Sequence, residues 1–177
     1  VAPSRGLGDV YKRQVSGDAC ELNEVLTSFD AMRGEQVKFD TVFIDAPCSG
    51  TGTMRRHPEI PWRLTENDVT CELPKLQLTM LKEAAARVAA GGELIYATCS
   101  VFDEENTQVV DAFLSSPEGE GFSAAPVSEA QILQLPEFEQ AKKLVSVRQN
   151  DRGLFQSVPT NADSYDGHFC ARLVHSS

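Results

Sequence analysis

The sequence has no long apolar run, no cysteine pair at metal-ligand spacing and no glycine-rich phosphate loop. None of its 177 residues belongs to an uninterrupted apolar stretch of about 18 residues, which argues against a membrane-spanning helix. The first 14 residues lack the apolar core of a secretory signal and show no strand or helix periodicity. We therefore expect a cytoplasmic protein without membrane contact, in which residues 1–14 are non-native or disordered and residues 15–177 form the fold.

Five cysteines are present, but none of them forms a C-x-x-C pair, and no histidine pair stands nearby at zinc-ligand spacing. The odd number argues against a framework of disulfides. We therefore predict reduced thiols and no bound metal. Each thiol is then a small buried residue unless its surroundings indicate chemistry.

Positive charge is scarce, and the formal net charge is −10. Residues 101–140 contain nine acidic residues and no lysine or arginine, so this segment carries most of the imbalance. By contrast, residues 54–63 (MRRHPEIPWR) carry three arginines, a histidine and a tryptophan against one glutamate. Because phosphate contacts need Lys and Arg, this segment is the candidate for nucleic-acid contact. A solvated loop is the open alternative.

The middle of the sequence alternates between strand and helix patterns. Residues 39–46 (FDTVFIDA) are β-branched and aromatic, which predicts a buried strand, and residues 93–99 (ELIYATC) repeat the pattern. A helix is predicted between them, ending at AAGG in 89–92, and a second helix over 100–114. Six apolar residues share one face of the first helix: Leu73, Leu76, Met80, Leu81, Ala84 and Val88.

The flanking segments complete a predicted α/β fold. A strand end at Val15, a turn at 17–18 and a helix over 20–29 are expected before the first strand. Residues 115–143 look irregular, with one helical turn near EAQILQL, and residues 153–175 predict a terminal β-hairpin at the sheet edge. Strand and helix in alternation predict a parallel sheet.

A glycine-rich turn, beside which such sheets bind their ligands, is missing from this pattern. No such turn precedes residue 15, and SGTG at 49–52 is not G-x-G-x-x-G. We therefore expect the cofactor site to be absent or incomplete in this chain, as if the chain began late in its domain. The strand that ends at Asp45 would then present an open, apolar edge.

Two cysteines stand at the ends of the predicted strands. Cys48 lies in the turn DAPCSG and Cys99 in ATCS. If the strands are neighbours, about 4.8 Å apart, both thiols could approach one planar ring. A helix start after Cys99 favours its thiolate, which indicates Cys99 as the nucleophile and Cys48 as a second acid or base. The alternative is two buried structural thiols.

The motifs DAPCSGTGTMRRHPEI and LQLTMLKEAAARVAAGGELIYATCSVFDEEN, followed by DGHFCARL, resemble those of the RNA 5-methylcytosine methyltransferases. The resemblance is strongest to the bacterial 16S ribosomal RNA methyltransferase B branch and covers residues 15–177, with His168 in place of a Phe of the closing motif. It implies the C-terminal half of the Rossmann-like sheet of an S-adenosylmethionine-dependent RNA methyltransferase. The branch implies 16S rRNA as the substrate.

The resemblance assigns roles to four residues. Cys99 would attack C6 of the target cytosine, and Cys48 would assist elimination so that the methylated RNA leaves Cys99. Asp45 would lie by the cytosine ring and the methyl donor, and Asp18 would contact the adenosine part of the cofactor. The chemistry is covalent catalysis, because an aromatic C5 is a poor nucleophile until a thiolate adds at C6.

The resemblance also favours RNA contact, chiefly with phosphates, by Arg55, Arg56 and His57. The family's glycine-rich motif with its lysine, and its N-terminal RNA-binding domain, are missing, so we expect the fragment itself to be inactive. Two other functions stay open. One is a thiol hydrolase in which Cys99 works with His57 or His168 as base, and the other is a non-catalytic RNA-binding fragment.

Overall fold

The computed structural model describes residues 15–126, 149–159 and 165–176. The described strands are β1 (Phe39–Asp45), β2 (Val88–Thr98), β3 (Phe122–Ala124), β4 (Phe155–Ser157) and β5 (His168–His175). They form one sheet in the order β1-β2-β5-β3, with β4 also paired to β5. β1 and β2 are parallel, and the other pairs are antiparallel. The predicted α/β fold is confirmed, but the described sheet is mixed rather than parallel.

The described helices are α1 (Leu22–Val25), α2 (Thr27–Arg33), α3 (Ile60–Arg63), α4 (Leu73–Ala85) and α5 (Thr107–Leu114). The helix expected over 20–29 is therefore broken between α1 and α2, and Val15 lies outside any strand. No helix in the described part of the chain is long and apolar enough to cross a membrane.

The core lies between one face of the sheet and helices α4 and α5. Alternate residues of β2 and β5 are buried on this face, whereas most of the residues between them are only half-buried. The fully buried side chains of the two strands and two helices include Leu94, Tyr96, Phe169, Leu173, Leu81, Val110 and Phe113. This packing buries one face of β2, which lies between β1 and β5 and leads directly into Cys99.

Strand β1 is an open edge of the described sheet, as expected for a chain without the strand that would cover it, although its composition alone predicts a buried strand. It pairs with β2 alone, and Ile44 is its one buried residue. Phe43 is 62% exposed. The apolar pattern of β1 therefore reflects a surface that no other described element covers, since β1 residues 39, 41, 43 and 45 share its solvent-facing side.

Helix α4 ends at Ala85, before the predicted stop, because the chain leaves the helix to pair with β1. The carbonyl of Arg87 accepts a hydrogen bond from the N–H of Phe39 at 2.8 Å, and Val88 is paired with Phe39. The segment AAGG consequently lies inside β2, with Gly91 at φ 72°. Strand pairing has overridden the helix preference of the alanine run.

The terminal hairpin forms as expected, but its second strand is not at the edge. β5 lies between β2 and β3, so it is an internal strand of the described sheet. The three-residue strand β3 falls in a segment that the sequence pattern predicts to be irregular. The helical turn expected near residues 129–135, like residues 1–14, lies outside the described residues.

Arg87 connects helices α1 and α2 to the rest of the fold through hydrogen bonds. Its side chain is buried, and its Nη1 donates to both carboxylate oxygens of Asp30 at 2.8 Å. Its Nε donates to the side-chain oxygen of Asn23 at 2.6 Å. The hydrogen bond from the N–H of Val37 to Asp30, together with Arg87, lowers the pKa of the Asp30 carboxyl, so the pair stays ionised.

Candidate functional site

Cys48 and Cys99 meet at one end of the sheet, where their Sγ atoms are 3.3 Å apart. β1 and β2 run parallel with Asp45 opposite Ala97, so their carboxyl ends lie side by side. The N–H of Gly52 donates to the carbonyl of Cys99 at 2.8 Å and ties the two cysteine-bearing turns together. Parallel pairing therefore brings together two thiols that are 51 residues apart in sequence.

The glycines of the SGTG segment allow the first cysteine turn to close. Gly50 has φ 72°, a conformation that side chains rarely adopt. A Cβ on Gly52 would stand 2.2 Å from the carbonyl oxygen of Gly167, whose N–H donates to the carbonyl of Gly52 at 2.8 Å. These glycines are thus required by backbone packing, and the segment joins the cysteine turn to the DGHF motif.

A buried carboxylate joins the turns that carry the two cysteines. Glu105 is fully buried, and its Oε2 accepts hydrogen bonds from the N–H of Ser49 at 2.8 Å and from the Gln77 amide at 3.0 Å. Its Oε1 accepts from the hydroxyl of Ser100 at 2.7 Å. Because each serine directly follows a cysteine, one carboxylate fixes both turns.

The neighbours of Glu105 extend this buried network. The hydroxyl of Tyr96 donates to the Glu105 carbonyl at 2.7 Å. Asn106 accepts from the hydroxyl of Thr98 at 2.6 Å and donates to the Ser100 carbonyl at 3.0 Å. Burial, with the nearby Glu105 carboxylate, raises the pKa of Tyr96, so its phenol remains a donor. The sequence motif EEN therefore positions the second cysteine turn, a role that sequence reasoning missed although it noted the motif's place after ATCS.

The two thiols are not equivalent. Burial, followed by the hydrogen bond with Cys99, raises the pKa of the Cys48 thiol from 9.0 to about 12. Cys48 is consequently protonated at neutral pH, and either sulfur can be the donor in its contact with Cys99. A protonated thiol is a poor nucleophile, so Cys48 is better suited to donate a proton than to attack a substrate.

The two aspartates expected near the cofactor do not line the same cavity, and neither lines the cavity beside Cys48. Asp45, at the exposed end of β1, lines a cavity of about 530 Å³ that follows the open sheet edge. Most of the other residues that line this cavity are apolar, among them Leu22, Phe39 and Phe43. Asp18 does not line it, and its carboxylate caps a short helical turn by accepting from the N–H of Cys20 at 2.8 Å.

A second cavity, of about 500 Å³, opens beside Cys48. Cys48 and Ser49 form one wall, and the segment from Ile60 to Leu76 forms the other. Its wall includes both charged and apolar side chains, among them Arg63 and Asp68. A planar, hydrogen-bonding ring could therefore approach the Cys48 thiol from this side.

The basic segment after the first cysteine turn is partly neutralised by acidic neighbours. Arg55 and Arg56 both form ion pairs with Asp166 of the closing motif, although their side chains are 54% and 59% exposed. His57 lies 3.4 Å from Glu59. The arginines thus face solvent beside the site, and Asp166, which sequence reasoning did not single out, orients them.

The geometry does not support a cysteine–histidine hydrolase. His57 pairs with Glu59, and His168 begins β5 with an exposed side chain. In the residues that the structure describes, neither histidine is hydrogen-bonded to Cys99, whose sulfur contacts Cys48. A base for an acyl-transfer thiolate is therefore not in place.

Comparison with known proteins relates this chain to ribosomal RNA methyltransferases. Residues 7–174 match the family described as 16S rRNA methyltransferase RsmB/F. The Ribosomal RNA small subunit methyltransferase B of Citrobacter koseri is 52% identical over 81 residues, which cover 46% of this chain and 18% of that protein. Its counterpart from Proteus mirabilis is 42% identical over 100 residues, covering 54% of this chain and 24% of that protein.

A solved structure shares the fold over nearly the whole chain. NSun6 from Pyrococcus horikoshii, solved with SFG, has a TM-score of 0.65 and 21% identity, covering 97% of this chain and 36% of that protein. The chain thus spans about a quarter or less of the length of the curated relatives described here.

Proposed function

Since this chain belongs to the 16S rRNA methyltransferase RsmB/F family, we propose that it contributes the two-cysteine part of an RNA methyltransferase active site. The reaction is the transfer of a methyl group to C5 of a cytosine in RNA, and the names of the relatives favour 16S rRNA as the substrate. Because the chain covers a small share of those relatives, the activity is proposed for a longer protein that contains it.

The 3.3 Å contact between the Cys48 and Cys99 sulfurs is the observation that carries this proposal. Two purely structural thiols would not need a buried polar group that holds both of their turns. Here a fully buried carboxylate, Glu105, holds the residues that follow both cysteines. Burying a carboxylate is costly, and a frame of this kind is expected where side chains must be held in one geometry.

In the proposed reaction, the thiolate of Cys99 adds to C6 of the cytosine and forms a C–S bond. The electron pair displaced from the ring makes C5 nucleophilic enough to accept a methyl group. The C5 proton then passes to solvent, the electron pair of its bond to C5 restores the C5–C6 double bond, and the sulfur leaves C6 with the electron pair of the C–S bond. Cys99 ends the cycle with its sulfur free.

Cys48 acts in the second half of the cycle. With its pKa raised to about 12, it keeps its proton at neutral pH. From 3.3 Å it can donate that proton to the Cys99 sulfur as the bond to C6 breaks. One thiol therefore forms the adduct, and the other assists its release.

S-adenosylmethionine is the methyl donor that we propose for the intact enzyme, and SFG, an analogue of that cofactor, was bound to the structural relative NSun6. The described residues fit this cofactor only in part. Asp45 lies at the mouth of the cavity along β1, but the apolar lining offers few partners for the ribose and amino-acid groups. Asp18 is engaged in its own turn. We therefore propose that this chain supplies one wall of the cofactor site, and that by itself it binds the cofactor weakly.

RNA contact is proposed for Arg55, Arg56 and His57, on the surface beside the thiols. The exposed guanidinium groups can meet phosphates without first leaving a buried site. Asp166 lowers the net positive charge of this surface, so these residues position the RNA rather than supply most of the affinity.

A covalent-trapping experiment on the intact methyltransferase that carries this chain tests the proposal. With 16S rRNA and S-adenosylmethionine, Cys48→Ala should accumulate a protein–RNA adduct that survives denaturation, whereas Cys99→Ala should give neither adduct nor 5-methylcytosine. Cys71→Ala, at an exposed thiol, is the control and should leave turnover unchanged. If Cys48→Ala gives no adduct, the two-cysteine mechanism is wrong.

A further inference from the structure

The sulfur contact that suits the thiols to methyl transfer also places them within reach of a bond to each other. A disulfide needs a sulfur–sulfur distance of about 2.05 Å, so closure from 3.3 Å requires the two atoms to move about 1.3 Å closer. Both thiols are half-buried rather than sealed from solvent. A small oxidant can therefore reach them, and a short side-chain rotation can join them.

The surroundings favour this pair over the other thiols. In the described part of the chain, Cys20, Cys71 and Cys170 have no sulfur neighbour at hydrogen-bonding distance, whereas Cys48 and Cys99 do. Glu105 fixes both turns, so an oxidised sulfur on Cys99 would stay beside Cys48 and not drift into solvent. That proximity favours disulfide formation over further oxidation of one sulfur.

We propose that Cys48 and Cys99 form a peroxide-sensitive dithiol that closes to an intramolecular disulfide. The Cys99 thiolate attacks one oxygen of hydrogen peroxide, the oxygen–oxygen bond breaks, and the departing hydroxide takes up a proton to give water. Cys99 is now a sulfenic acid. The Cys48 sulfur attacks the Cys99 sulfur, the sulfur–oxygen bond breaks, and a second water leaves with the proton of Cys48.

In the overall reaction, two thiols and one hydrogen peroxide give one disulfide and two waters. The sulfurs lose two electrons in total, and the peroxide gains them. The pKa of about 12 for Cys48 agrees with the order of steps, because a protonated Cys48 is the slower partner toward peroxide. In a reducing compartment the disulfide would be transient and reversible by dithiols.

The consequence for activity rests on the proposed function. If Cys99 must add to a cytosine, the disulfide removes the nucleophile and the proton donor in one event. Oxidation would then stop methylation without loss of the fold, and reduction would restore it.

The experiment uses the 177-residue chain and reads mass, not activity. The chain is treated with hydrogen peroxide, denatured, alkylated with N-ethylmaleimide and analysed by intact mass and peptide mapping. Three thiols, those of Cys20, Cys71 and Cys170, should be alkylated in place of five, and a Cys48–Cys99 peptide should appear. Treatment with dithiothreitol before alkylation should restore all five modifications.

Matched variants locate the bond. Cys170→Ser removes a half-buried thiol of similar exposure and should leave the Cys48–Cys99 peptide unchanged, whereas Cys48→Ser should abolish it. Over-oxidation of Cys99 in the wild-type chain without the linked peptide would overturn the proposal, as would an equal loss of two alkylations in Cys48→Ser. Because no RNA or cofactor is present, a failure here is distinct from a failure of the adduct experiment.

Discussion

Glu105 accepts a 2.7 Å hydrogen bond from Ser100, the residue that follows Cys99, and does so from a fully buried position. The same carboxylate reaches the backbone N–H of Ser49, next to Cys48. The separation of the two sulfurs is thus set by a third residue that touches neither of them.

Replacing Glu105 with glutamine should loosen this arrangement. An amide offers one acceptor oxygen in place of two and turns an NH₂ group toward existing donors, so we expect Glu105→Gln to lower the free energy of unfolding by about 1–3 kcal/mol. Urea unfolding monitored by circular dichroism measures this change. Adduct yield in the intact enzyme should fall at the same time.

Glu104→Gln is the matched control, because Glu104 is the preceding residue and is only half-buried. It should change neither the free energy of unfolding nor the adduct yield. Equal effects of the two variants would show that Glu105 has no special role in positioning the cysteines.

The raised pKa of Cys48 predicts a loss of stability at alkaline pH. The unfolded thiol titrates near 9.0 and the folded thiol near 12. Between these values the unfolded chain has released a proton that the folded chain retains, so the free energy of unfolding decreases as the pH rises. The contribution is fully present below pH 9.0 and is lost progressively above it.

The Cys48→Ser variant should lose less stability than the wild-type chain over this pH interval. Thermal unfolding at several pH values compares the two slopes directly. Tyr96 and Cys170, whose pKa values are also raised by burial, affect both proteins alike. Parallel slopes would contradict the assignment of a protonated Cys48.

The open edge of β1 should make the isolated chain associate. Phe43 is 62% exposed on a strand that has one described partner, and an apolar edge strand is a site for pairing between chains. We expect Phe43→Lys to shift the chain toward the monomer in sedimentation velocity runs, with little change in stability because the side chain is already exposed.

Trp62→Lys is the control for this experiment. Trp62 is 88% exposed but lies in α3, away from the sheet edge. If Trp62→Lys reduces association as much as Phe43→Lys does, general surface hydrophobicity and not the strand edge is responsible.

The incomplete fit of the cofactor predicts weak binding by the chain alone. Isothermal titration of residues 1–177 with S-adenosylmethionine should show no saturation in the micromolar range. The apolar cavity beside Asp45 provides too few polar partners for tight binding. Micromolar affinity would show that the described residues form a complete site. Asp45→Asn should then weaken that binding.

The sequence was most informative about features that depend on neighbouring residues, such as the position of a cysteine at the end of a strand. The strand-end placement of Cys48 and Cys99 indicated that they could share a site, because parallel neighbours end together. It could not reveal Glu105 as the link between them, since three hydrogen bonds from separate segments define that role. The quoted motif includes EEN but gives no physical reason for it.

The errors in the fold arose where long-range pairing decided the outcome. The alanine-rich end of α4 has a high helix preference, yet the hydrogen bond from Phe39 to Arg87 draws the following residues into β2. The composition of β1 predicted burial, and composition alone cannot say whether another strand covers it. β3 is too short to produce a pattern, and it exists because β5 offers it an edge.

The backbone contact between Gly52 and Gly167 makes the site dependent on the order in which the chain is synthesised. The first cysteine turn leaves the ribosome more than a hundred residues before the segment that packs against it. β5, which lies beside β2, begins at the next residue and emerges with that segment. The nascent chain therefore carries both thiols before the segment that packs against the first cysteine turn exists, and in this interval they are more exposed to the cell's oxidants and chaperones.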